Sequence, residues 1–137
     1  MSRKRAEGAA RALGASQPLG TAHLMIFVPS ADRNGKKLRG PSWTNPTLRT
    51  LGRLFRGATA YPKGLGVWRD DGAGGKLIFD DTTIVFSYVA PKDLAPEALG
   101  ELREFLHRLG RETHQGEVGL VLDGHYIGIT KFDEVAQ

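Results

Sequence analysis

Between residues 22 and 130 the chain alternates short apolar runs with two stretches of helical period. "AHLMIFVP", residues 22–29, is a continuous apolar run that ends at a proline, which predicts a central strand covered on both faces. "SADRNGKKLRGPS" follows and is rich in turn formers and basic residues, so it reads as an exposed loop. Asn45 as a cap with Pro46 behind it signals a helix that runs to about Phe55 and stops at Gly57. On that helix Leu48, Leu51, Leu54 and Phe55 share one face, and Arg49, Arg53 and Arg56 line the opposite one.

"ATAYPKGLGVWRDD" reads as an interrupted strand, and "KLIFDDTTIVFSYVA" as strand material that is β-branched and aromatic throughout. "DLAPEALGELREFLHRLGRE" predicts an amphipathic helix with Asp93 and Pro96 in its opening and Gly110 as its cap. Ala98, Leu99, Leu102, Phe105, Leu106 and Leu109 form its apolar arc, and Glu104 and Arg108 make an i, i+4 pair. "EVGLVL" and "HYIGI" flank Asp123-Gly124, the signature of a tight hairpin.

This order predicts an α+β fold: a ferredoxin-like βαββαβ antiparallel sheet with two helices on one face and an extra C-terminal hairpin. Residues 1–21 lack periodicity and read as a disordered basic tail, leaving 22–137 as a single ferredoxin-like domain. "GATAYPKGLGVWRDDGAGGKLIFDDTTIVFSYV", residues 57–89, resembles an uncharacterised bacterial family of small ferredoxin-like domains. The resemblance spans residues 23–122. It implies the fold and carries no activity.

Composition changes the picture mainly by exclusion. The chain has no cysteine, which rules out disulfides, thiolate metal sites and a cysteine nucleophile and fits a reducing, cytoplasmic setting. No apolar run approaches the roughly 18 residues that span a bilayer, and the start lacks the apolar core of a secretory signal. Charge is polarised. Residues 33–69 hold nine basic groups and no acid, whereas 70–137 hold six basic and thirteen acidic groups. Such asymmetry points to an anionic partner or to association between opposite faces of two copies.

The candidate chemistry is sparse. Asp70 and Asp71 flank a glycine-rich tip that Asp80 and Asp81 follow. A regular hairpin pairing Asp70 with Lys76 and Gly66 with Asp80 holds these acid pairs about 13 Å apart, too far for one hard cation. They read as a turn and a strand break, and no metal or other cofactor is expected. His23, His114 and Glu112 are the candidates for acid-base work, with Glu117 a further neighbour of His114. A helix continuing past Gly110 would stack His107, Arg111 and His114 into a phosphate-binding row; a cap at Gly110 is favoured instead. Trp68 reads as core, although beside Tyr61 and Arg69 it could also stack on a ring.

Arg33, Lys36, Lys37, Arg39, Arg49, Arg53, Arg56 and Arg69 form the leading candidate site, a basic loop and helix face. The expectation is therefore a cytoplasmic binding module for an anionic partner, nucleic acid above all. The alternatives are a small dimeric enzyme acting on an anionic metabolite in a sheet-face pocket, and a structural or regulatory oligomerising subunit. In each case a homodimer or higher oligomer is expected, because the strands are apolar on the face that no helix covers.

Overall fold

The computed structural model describes residues 2–16 and 22–135. Strands β1 (Ala22–Pro29), β2 (Thr59–Asp70), β3 (Lys76–Val89), β4 (Val118–Leu122) and β5 (His125–Ile129) form one antiparallel sheet in the order β2-β3-β1-β4-β5. The helices are α1 (Arg3–Ala12), α2 (Thr44–Phe55) and α3 (Pro96–Glu112). The mixed α+β class is as expected. The strand order goes beyond the simple four-stranded ferredoxin-like one, because the Asp123-Gly124 hairpin lays β5 along β4 as a fifth, outer strand.

Side-chain alternation decides what each face meets. In β1 every second residue is buried, and Leu24, Ile26 and Val28 enter the core with Val85, Val89, Val118 and Leu120. Leu51 and Phe55 of α2 and Leu102, Phe105, Leu106 and Leu109 of α3 close over them. Each fully buried aliphatic side chain stabilises the fold by about 1.5–3 kcal/mol. The intervening residues of β1 are only half-buried, so this central strand is covered fully on one face and not on both.

Local chemistry moved several boundaries. Helix α2 starts at Thr44, whose N–H donates to the Ser42 hydroxyl at 3.1 Å, rather than behind an Asn45 cap. Pro46 is its third residue, where no intrahelical N–H is needed. The left-handed residue that ends α2 is Arg56 (φ 77°), not Gly57. Helix α3 runs through Gly110 to Glu112, because Gly110 is a packing site and not a cap: the Phe132 ring occupies the space a side chain would need. Arg108 reaches Glu112 at 3.7 Å rather than Glu104, and lies over the Trp43 ring.

The segment after β5 is strapped across α3. Asp133 receives two guanidinium hydrogen bonds from Arg103 at 2.7 and 2.8 Å, and its own N–H donates to His107 Nδ1 at 2.7 Å. Arg111 donates to the Asp133 carbonyl. The Arg103 bonds hold the Asp133 carboxyl below the usual carboxylate range.

Arg3–Ala12, within the expected basic tail, form helix α1, which buries no side chain. Residues 1 and 17–21 of that expected tail lie outside the described residues. Among the described residues no helix is long and apolar enough to cross a membrane.

Candidate functional site

Strand β2 carries a bulge between Tyr61 and Gly64, where Lys63 adopts a left-handed backbone (φ 63°). Beyond it the register is regular, with Gly64 opposite Thr82, Gly66 opposite Asp80, Trp68 opposite Ile78 and Asp70 opposite Lys76. The break expected at Asp80–Asp81 is thus absent, and β3 is continuous from Lys76 to Val89. Three of the four carboxylates are individually engaged. Asp70 accepts the Gly72 N–H at 3.1 Å, Asp71 pairs with Arg69, and Asp80 accepts the Ser30 hydroxyl at 2.6 Å. Among the described residues no three histidine, aspartate or glutamate side chains converge as metal ligands.

The β4–β5 hairpin turns at Asp123 (φ 50°) and Gly124 (φ 83°), the left-handed pair of a type I′ turn. Its register sets Gly119 opposite Gly128 and Val121 opposite Tyr126. The two glycines make a flat floor. A Cβ on Gly119 would meet the Tyr126 hydroxyl at 2.5 Å, and one on Gly128 would meet the Glu117 carboxylate at 2.6 Å. On this floor the Tyr126 hydroxyl donates to Glu117 Oε2 at 2.5 Å. Packing around the phenol, and then its bond to Glu117, push the Tyr126 pKa up to about 12. The phenol therefore stays a proton donor at every physiological pH.

These two hairpins wall a cavity of about 750 Å³ on the sheet face that the helices leave open. Phe27 and Pro29 of β1 lie beneath it, Trp68, Asp70 and Asp80 stand on one side, and Glu117 and Tyr126 on the other. The loops at its end are tied together. The Arg33 N–H donates to the His114 carbonyl at 3.0 Å, and the Gln115 amide donates to the Ala31 carbonyl at 2.7 Å. Asp32 accepts the Asn34 and Lys36 N–H groups, which lowers its pKa and tightens the turn that carries Arg33. A second cavity of about 730 Å³ lies by α2, α3 and the strap. Its charges are engaged in holding the structure, as in the pairing of Arg53 with Glu101 and Arg111 with the Asp133 carbonyl.

The open-face cavity gathers few of the residues expected from sequence. Arg33 and Arg69 line it. His23 lies on the same sheet face, stacked on Tyr88 at 4.9 Å and edge-on to Phe86, but outside the cavity lining. His114 is exposed in a left-handed turn (φ 51°) after α3, and Glu112 pairs with Arg108. The row of His107, Arg111 and His114 does not form, because His107 and Arg111 hold the strap and His114 has left the helix. Trp68, expected in the core, is 40% exposed at the cavity. Tyr126 is the residue that sequence reasoning misses. A signal for it exists, since counting back from Asp123-Gly124 sets Tyr126 diagonally across Gly119, within reach of Glu117.

The basic set does not assemble into one footprint. Arg49, Arg53 and Arg56 are exposed on α2, on the helix side, and Arg53 is neutralised by Glu101 of α3. Lys36, Lys37 and Arg39 belong to the loop after β1, where Lys37 bridges to Ala31. Arg33 and Arg69 border the cavity on the other face, and Arg69 pairs with Asp71. The run of cations in the sequence is thus divided by the sheet.

No protein-family model matches the chain, and no curated protein matches it. Two solved structures share its fold. Phage SAM lyase in complex with S-methyl-5′-thioadenosine is 14% identical with a TM-score of 0.59, and the match covers 85% of this chain and 94% of that one. Phage SAM lyase in the apo state is 17% identical with a TM-score of 0.57, covering 85% and 95%. At these identities the likeness establishes the fold. The expectation of a nucleic-acid-binding module is corrected on two grounds: these two solved structures are of an enzyme named for acting on SAM, and the cations that suggested nucleic acid are split between α2 and the open-face cavity.

Proposed function

We propose that this chain is a small enzyme that cleaves a carbon–sulfur bond of a sulfonium nucleoside of the S-adenosylmethionine type in the open-face cavity. One observation carries the reading: the cavity joins carboxylates, exposed aromatic faces and a tyrosine–glutamate pair in one space large enough for a nucleoside. Asp70, Asp71, Asp80 and Glu117 outnumber Arg33 and Arg69 there. That balance suits a cationic centre better than the anionic metabolite considered from sequence. A sulfonium is drawn to carboxylates and to the faces of Trp68 and Tyr126. Arg33 supplies a fork for a substrate carboxylate.

The chemistry asked of the protein is modest. When the carbon–sulfur bond breaks, its electron pair goes to sulfur, the positive charge disappears and a neutral thioether leaves. Glu117 is the group placed to act as base: it takes a proton from the carbon next to the breaking bond, and that C–H electron pair becomes the carbon–carbon double bond of the second product. Tyr126, protonated and donating to Glu117, fixes the carboxylate's orientation. The same proposal takes residues 22–137 as one ferredoxin-like domain with an added outer strand, working in the cytoplasm as an oligomer.

The test is incubation of the purified protein with S-adenosylmethionine and separation of the products by liquid chromatography with mass detection. Time-dependent S-methyl-5′-thioadenosine above the uncatalysed rate is expected. Intact substrate across a range of pH and protein concentration would overturn the proposal.

A further inference from the structure

Arg33 and Glu117 line one cavity from two separate segments. Arg33 belongs to the loop after β1, and Glu117 to the connection that leads from α3 into β4. Neither residue lies in a strand, so the sheet ladder does not set the distance between them. Among the described residues no carboxylate pairs with the Arg33 guanidinium, whereas Arg69 is taken by Asp71.

Gln115 joins the two segments. Its own N–H donates to the Gly110 carbonyl at 3.0 Å, which fixes it to the end of α3. Its side-chain amide donates to the Ala31 carbonyl at 2.7 Å and to the Thr113 carbonyl at 3.1 Å. Carbonyl oxygens only accept, so one amide nitrogen satisfies both and a carboxylate in its place would satisfy neither. Thr113 is buried, and its hydroxyl donates to the Leu109 carbonyl at 2.6 Å, so the amide rests on a fixed point. The loop answers from its own side. The Arg33 N–H donates to the His114 carbonyl at 3.0 Å, and a Cβ on Gly116 would lie 3.9 Å from that of Arg33. Arg33 follows Ala31 by two residues and Glu117 follows Gln115 by two, so at most about 7 Å of chain separates each from the tie.

We propose that Gln115 is a positioning residue that sets the reach from Arg33 to Glu117, and so selects substrates whose carboxylate sits at one distance from the carbon–sulfur bond. The inference rests on the proposed activity for the roles of Arg33 and Glu117. A guanidinium fork grips a carboxylate in one plane and at one distance. A base must come within about 3 Å of the atom whose proton it takes. A ligand held at its carboxylate therefore meets Glu117 correctly only while the two segments keep their spacing. A ligand without a carboxylate does not sense the tie.

Calorimetric titration of two thioether nucleosides tests this. S-adenosylhomocysteine carries the carboxylate-bearing chain, and S-methyl-5′-thioadenosine lacks it. Gln115→Met, neutral and of similar length but without a donor, should weaken the first about tenfold or more and the second by less than about twofold. Arg33→Ala, at an exposed position, should show the same pattern, and adding Gln115→Met to it should cost no further affinity. Gln115→Asn, whose amide is too short to span to Ala31, decides the matter even if Gln115→Met fails to fold. Equal weakening of both ligands, weakening of neither, or losses that add in the double variant would overturn the proposal. A native chain that binds both ligands yet leaves S-adenosylmethionine intact would overturn the activity alone, and one that binds neither would overturn both.

Discussion

The two faces of the sheet arise from one alternation and end in different chemistry. The helix face is filled with aliphatic side chains under α2 and α3, and the polar atoms caught there are locally satisfied: Thr47 and Thr50 donate to the Trp43 and Pro46 carbonyls, and Ser87 to Gly57. The open face keeps glycines, aromatics and carboxylates and leaves a cavity between two hairpins. One face holds the main buried core, and the other presents reactive groups. Variants that separate the two roles test whether the division is real.

The largest separation is expected at Glu117. Glu117→Gln keeps the shape above Gly128 but removes the base, and should lower turnover of S-adenosylmethionine by about 10²–10⁴-fold. Its denaturation midpoint should stay close to that of the native chain. Rates within a factor of a few of native would remove Glu117 from the chemistry.

Next in size is Leu109→Ala on the helix face, which should cost about 2–5 kcal/mol in urea denaturation because Leu109 is fully buried. Met25→Ala, half-buried on the open side of β1, should cost well under half as much. Equal costs would mean that the open face is itself covered.

Titration should show the same contrast. Tyr126 has its folded pKa raised from the ordinary 10.0 to about 12. The stability this brings is complete below pH 10 and is lost as pH rises through 12. Ultraviolet absorbance should therefore show a late phenolate that Tyr126→Phe removes. At the acid end the sign reverses for Asp133, whose depressed pKa supports the strap above the ordinary carboxylate range and fails as pH falls below it. Arg103→Ala should flatten that acid limb of the melting curve.

The smallest effect is at His114. Replacing it by glycine relieves a left-handed backbone and should stabilise by roughly 1 kcal/mol. Turnover should be unchanged. A large loss of activity would return His114 to the acid-base role that its sequence neighbours suggest.

What can be read from the chain follows the same division. Period and burial coincide on the helix face, so the residue pattern alone carries the apolar arcs of both helices. The hairpin register of Asp70 with Lys76 and Gly66 with Asp80 is equally legible there. Gly110 misleads because a glycine late in a helix reads as a cap, and the ring that requires it comes 22 residues later, from Phe132. The arginine run misleads for a related reason: closeness in sequence does not tell which side of a sheet a side chain will face. The cavity is hardest to see. It depends on what two glycines allow above them, and absent side chains leave no pattern of their own. Only the Asp123-Gly124 turn offers a way to count Tyr126 towards Glu117.

The most direct test of the division is calorimetric titration of S-methyl-5′-thioadenosine into three proteins: native, Trp68→Ala with Glu117→Gln, and Arg49→Glu with Arg53→Glu and Arg56→Glu. The account predicts saturable binding to the native chain, unchanged binding to the triple arginine variant, and at least a tenfold loss in the cavity variant. Binding abolished by the arginine reversals while the cavity variant binds as the native chain does would place the ligand on the helix face and contradict it.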